Sequence, residues 1–230
     1  MHAKLHGTKA GRRFLLLDAC LTETRLVTDD HAVCGYRGST PLDLVVIYWL
    51  REQDPTAAFD RTHERLPLQE HPGLGVLRTA FRVAVRMTTD LGKHGIAALP
   101  KFFHDAVIFY RSRLFLFLDP VEQGRFEALL RDLAPLSLRD ATLAMAGGAV
   151  RDGAGASVPW KPGLQVMPLS PVLTDYFHAP RYQALCAEAC EAWRCTVDAD
   201  ALAQAQAIFA ASTATTGGPA AERPEQAGAS

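Results

Sequence analysis

Two groups of residues in this chain have types and spacing that can do chemistry. The first is His104-Asp105, set among Phe102, Phe103, Ile108, Phe109 and Tyr110. An imidazole and a carboxylate one residue apart on a helix can converge on a common face and ligate a divalent metal ion, the cofactor this reading calls for. His63 or His71 would supply an upstream ligand and Asp140 the last one. The competing reading is a hydrogen-bonded pair at a helix edge. With eight histidines in the chain, that reading is preferred. The second group is Arg78, Arg82 and Arg86, which recur every four residues and so share one side of a helix. Between Arg78 and Arg113, seven basic residues meet only Asp90 and Asp105. Guanidinium forks bind carboxylates and phosphates bidentately, so the stripe suits an acidic protein or a phosphate-bearing ligand. The alternative is a solvated face neutralised by Glu122, Glu127 and Asp132 on a neighbouring helix, and charge runs usually face solvent.

Locally, His104-Asp105 resembles the HD-type metal phosphohydrolases, which combine an upstream histidine, a His-Asp pair and a later aspartate on an all-helical fold. The resemblance covers three or four residues. It implies a metal-dependent phosphohydrolase with His104, Asp105, His63 (or His71) and Asp140 as ligands. It departs from the family pattern in having no glycine or lysine after the pair. Whether the chain is an enzyme stays open. The preferred function is non-enzymatic, a helical binding or interaction module presenting Arg78, Arg82 and Arg86 to an anionic partner.

Other motifs are poorer. Gly73-Leu74-Gly75 lacks the third glycine and the preceding strand of a dinucleotide-binding turn, no P-loop occurs, and no serine sits in a GxSxG setting. Cys186, Cys190 and Cys195, near His178, read as small buried hydrophobes rather than zinc ligands. Five cysteines without a repeating spacing fit reduced thiols in the cytoplasm. Lys plus Arg (24) nearly balances Asp plus Glu (25), so no global field draws the molecule to nucleic acid. The longest apolar run, Leu44 to Leu50, falls far short of the ~20 residues that span a bilayer. Phe14 to Leu17, after Arg12-Arg13, is likewise too short for an export signal.

Helical periodicity supplies the elements that must position these residues. Thr40-Pro41-Leu42-Asp43 carries a hydroxyl cap, a first-turn proline and a carboxylate, and predicts a central helix to about Glu52, with a buried strand as the alternative. Asp54-Pro55 predicts a second helix, ending before Pro67. Leu74 to Leu91 follows with Gly92 as its stop, then helices from Pro100, from Asp119-Pro120 and from Ser137, closed by Gly147-Gly148. Helical pattern returns from Pro180 to Cys195 and from Asp198 to Ala210. Thr24 to Tyr36 suggests a small β-hairpin turning at Asp29-Asp30. The expectation is an all-α or mainly α bundle of about six to eight helices over residues 14–210. A flexible segment 1–13 precedes it and a disordered tail 211–230 follows.

Overall fold

In the computed structural model of this chain, residues 1–27, 35–60, 64–112 and 115–215 are described. They are 40% helix and 25% strand by share of the chain and build a six-stranded mixed sheet with helices packed on it. The architecture is therefore mixed α/β, which corrects the expected all-α bundle.

The difference begins at the N-terminus. Residues 1–13, expected to be flexible, carry strand β1 (His2–Lys9), which pairs antiparallel with β2 (Arg12–Leu26). Ala10 and Gly11 connect them with φ of 50° and 76°. Both central residues of a type I′ hairpin turn need positive φ, because only that geometry matches the twist of the flanking strands. Ala-Gly meets the requirement without the Asn-Gly signature that would have announced it.

The larger correction falls on residues 41 to 52. The expected central helix is strand β3 (Leu42–Glu52), antiparallel to β2, so the buried-strand alternative holds. Helix α1 (Leu77–Asp90) then crosses over, and β4 (Gly95–Ala98) pairs parallel with β3. After β4 come α2 (Phe103–Arg111), β5 (Leu116–Phe117), α3 (Pro120–Asp132) and α4 (Leu138–Ala146). The chain closes with β6 (Val150–Asp152), β7 (Gln165–Pro168), α5 (Pro171–His178), α6 (Pro180–Ala192), β8 (Cys195–Val197) and α7 (Ala199–Thr215). Sheet order is β1-β2-β3-β4-β7-β5, with β7 antiparallel to both its neighbours, while β6 and β8 form a separate two-stranded sheet.

Both faces are covered where β3 lies beside β4, which accounts for the apolar run from Leu44 to Ile47, while Tyr48 and Trp49 beyond it are 72% and 42% exposed. On one face Leu42, Leu44, Ala97 and Val166 pack against Leu173 and Phe177 of α5 and Tyr182 of α6. On the other, Ile47, Ile96, Ala98 and Met167 pack against Phe81 of α1 and Phe115, with Phe109 of α2 alongside. A third cluster, built around Phe126, joins α2, α3 and α4 to the small sheet.

The starts capped by Asp119 and Ser137 and the stop at Gly92 hold, whereas among the described residues the Thr40-Pro41 and Asp54-Pro55 starts do not. Asp119 accepts the Val121 amide at 2.8 Å, Ser137 accepts that of Asp140 at 3.1 Å, and Gly92 leaves α1 with φ 65°. The helix expected from Asp54 does not form among the described residues. Asp54 Oδ1 instead accepts both the amide and the hydroxyl of Thr56, an Asx turn that competes with helix initiation. Helix α7 runs on to Thr215, beyond the expected end at Ala210. The Asp29-Asp30 turn, His63 and the tail from Thr216 lie outside the described residues.

Candidate functional site

The parallel strands β3 and β4 both point their carboxyl ends at one cavity of about 480 Å³. Such ends are where open α/β sheets place ligands, since the chain must leave the sheet there and the diverging loops enclose space. The last turn of β3 contributes Leu50, Arg51 and Glu52, and the loop from Leu66 to Gly73 forms one wall. Leu77 opens α1, and Phe102, His104, Asp105, Ile108 and Phe109 come from the first turns of α2.

Glu52 is set by the strand and by the helix facing it. Its carboxylate meets the backbone N–H groups of Gly75 and Val76 just ahead of α1, whose cap residue Val76 has no side chain to offer. Those amides and the helix dipole favour the charged form. Burial acts more strongly and raises the Glu52 pKa above its ordinary value. Glu52 Oε2 is buried without a hydrogen-bond partner.

His104 and Asp105 belong to the first turn of α2. Asp105 Oδ2 accepts the amide of the cap residue Phe102 at 3.3 Å, half of a capping box, while its Oδ1 lies 3.4 Å from His104 Nε2. The imidazole is stacked on the Phe102 ring, the planes 2° apart. At 7% exposure it is buried, and burial lowers its pKa while the neighbouring carboxylate pulls the other way. It is therefore neutral at pH 7. Burial likewise raises the pKa of Asp105 against the pull of His104. With Asp105 beside Nε2, the ring proton belongs on that nitrogen, which leaves a lone pair on Nδ1. Nδ1 is buried and has no partner.

The wall opposite is a tied loop. Pro67 and Leu68 occupy the corners of a turn closed by Gln69 N–H donating to Leu66 O at 3.1 Å. Arg65 Nε holds Gln69 O at 2.6 Å, Arg51 pairs with Glu70, and the Asp54 amide donates to Pro72 O. Leu68 takes φ 65° while 75% exposed, although this corner of a type II turn belongs to glycine or asparagine. Left-handed backbone costs a leucine ~1–2 kcal/mol, more than the ~0.5–1 kcal/mol of extra chain entropy that glycine loses on folding. Leu68→Gly should therefore leave the fold as stable or up to about 1 kcal/mol more so by denaturant titration. A clear destabilisation would show that the side chain packs rather than forming an apolar lip to the cavity.

Of the other sequence-predicted metal ligands, His71 is on the cavity wall, Asp140 is not, and His63 lies outside the described residues. Asp140 lies on α4, where it accepts from Gln206 Nε2 at 3.0 Å and from Arg139 at 3.3 Å. Among the described residues, no three His, Cys, Asp or Glu side chains come together closely enough to hold a metal ion. Glu52 carried no sequence signal, since it merely ends an apolar run, and in the Leu66 to Gly73 loop only His71 stood out.

Arg78, Arg82 and Arg86 project from the outer side of α1, opposite Phe81 and Thr88, which face the sheet. Arg86 pairs with Asp90 at 2.8 Å, whereas Arg78 and Arg82 make no ion pair among the described residues. Lys93, from the same basic run, is paired with Glu23 of β2. Changing all three arginines to Gln should move stability by less than ~1 kcal/mol, since exposed charges contribute little and Gln keeps helix propensity. A larger loss in thermal or denaturant unfolding would mean that these side chains support the fold.

A second cavity, of about 220 Å³, lies between α3 and the loop that carries Trp160, with Phe117 and Phe126 lining it. Its rim charges are largely engaged, Glu122 with Arg125 and Asp152 with the amides of Ala154 and Ala156. None of its side chains has a buried, unpartnered polar atom. No helix among the described residues is long and apolar enough to cross a membrane. Comparison with protein-family models, with curated proteins and with solved structures found no match for this chain.

Proposed function

We propose that this chain binds a small, partly apolar molecule in the cleft at the carboxyl ends of β3 and β4. One observation carries the reading: His104 Nδ1 and Glu52 Oε2, on side chains that line a cavity of about 480 Å³, are buried without partners among the described residues. Each such atom costs about 1–3 kcal/mol in a fold that could have used apolar side chains there. The glutamate's last torsion is soft, so a small rotation presents Oε2 to a ligand. Leu50, Leu77, Ile108 and Phe109 supply apolar wall for its hydrocarbon body.

The test is thermal unfolding with millimolar single-ring probes (benzylamine, benzyl alcohol, benzoate) on the wild type and on Ile108→Trp, which fills the cavity. A probe that raises the wild-type melting temperature and leaves the tryptophan variant unmoved supports the reading. Equal response of both proteins, or of neither, sinks it.

A second reading rests on Arg78 and Arg82, which are exposed and make no ion pair among the described residues: an acidic protein or phosphate-bearing partner docks on α1. It predicts that the Arg-to-Gln triple variant loses such a partner, with a weaker dependence of binding on salt. Free thiols at Cys20, Cys186, Cys190 and Cys195 support a cytoplasmic location for either activity.

A further inference from the structure

We infer that the ligand of this cleft carries a protonated amine, held by Glu52 Oε2 and His104 Nδ1 over apolar walls, with the charge of Asp105 alongside. The inference rests on the cleft reading above and narrows it. Its basis is the balance of donors and acceptors along the lining.

Among the described residues, three carboxylates line the cavity, Glu52, Glu70 and Asp105, with one guanidinium, Arg51, whose charge is engaged with Glu70. Gln53 Nε2 donates to Leu15 O at 3.1 Å, while Gln69 accepts the Leu66 amide on its side-chain oxygen and keeps its Nε2 as a donor outside the buried set. His104, neutral and with Nε2–H beside Asp105, offers a lone pair rather than a charge. Among the described residues, the buried lining atoms left without a partner are both acceptors, Glu52 Oε2 and, in this tautomer, His104 Nδ1. A carboxylate or phosphate would meet the like charge of Glu52 and Asp105, a repulsion that a neutral ligand does not face. An ammonium brings three donors and one positive charge, matching both deficits. The Phe102 ring already attracts such a group: the Lys101 ammonium sits 5.5 Å from its centroid, on a side chain outside the cavity lining.

Benzylamine, benzyl alcohol and benzoate share one ring and differ in the head group, so they separate charge from shape. Calorimetric titration of the wild type at pH 7.5 should show benzylamine binding about tenfold or more tightly than benzyl alcohol, and benzoate not at all. Glu52→Gln preserves the shape and should remove most of that preference, weakening benzylamine far more than benzyl alcohol. Should that variant fail to fold, Asp105→Asn with the wild-type salt dependence of benzylamine binding serves the same purpose. Its preference should fall, and wild-type affinity should weaken as salt rises. Equal affinity for all three probes, a preference for benzoate, or benzylamine binding untouched by both substitutions and by salt overturns the amine assignment and leaves the cleft standing. Absence of binding by all three overturns the cleft and the amine together.

Discussion

Phe126→Ala should destabilise the protein by about 3–5 kcal/mol, the range for truncating a buried aromatic where the surroundings relax only in part. Phe126 of α3 is 2% exposed, with its ring centroid 5.1 Å from that of Phe117, 5.4 Å from Tyr110 and 6.1 Å from both Phe103 and Trp160. It therefore joins β5, α2, α3 and the Trp160 loop in one contact. Alanine would open a void that four rings, each fixed by its own neighbours, cannot close. Since domains are stable by only ~5–15 kcal/mol, much of the margin goes with one side chain. Denaturant unfolding monitored by circular dichroism measures it. A loss below ~1.5 kcal/mol would mean that the cluster repacks freely.

The second large effect concerns two helices in backbone contact. A Cβ on Gly124 of α3 would stand 2.2 Å from the carbonyl oxygen of Cys186 and 2.8 Å from the Cβ of Ala189, both on α6. Gly124→Ala would gain up to ~1 kcal/mol in helix propensity. It would also force α3 and α6 apart, and overpacking against backbone costs ~1–3 kcal/mol or more because no rotamer relieves it. The clash wins, and we expect net destabilisation of ~1–3 kcal/mol, with Gly124→Val worse. Gly153, whose Cβ would meet nothing within 4 Å, is the control and should accept alanine with little change. Equal behaviour of the two variants would contradict the close approach of α3 and α6.

How much of this was legible in the sequence differs by element. Helices that start with a side chain able to reach a free amide, Asp119 and Ser137, announce themselves, because the cap is a local interaction between residues two or three apart. Strand β3 does not. Thr40-Pro41-Leu42-Asp43 carries a full set of helix-start signals, and Val45-Val46-Ile47-Tyr48-Trp49 is apolar at every position. A run apolar at every position cannot distinguish a buried helix from a strand covered on both faces. The deciding facts are the pairings of Leu44 with Thr24 and with Gly95, contacts at long sequence separation. The candidate site divides in the same way. His104-Asp105 was found as a dipeptide, but the intended partner Asp140 is occupied elsewhere, and Glu52 becomes a neighbour only when the sheet forms. Arg78, Arg82 and Arg86 were placed correctly on one helix side because periodicity alone decides that.

The place of β7 between β4 and β5 bears on how the chain is made. As the polypeptide emerges from a ribosome, β1, β2, β3 and β4 can assemble in order, but the free side of β4 has no partner until Gln165 to Pro168 follows. For the time needed to synthesise α2 through β6, a nascent chain carries an open strand edge, Gly95 to Ala98, with Ile96 and Ala98 still lacking Met167 beside them. Such an edge is a template for pairing with other chains. Fragments ending before Gln165 should accordingly be recovered as insoluble material, whereas one ending at Thr215 retains every strand of the sheet.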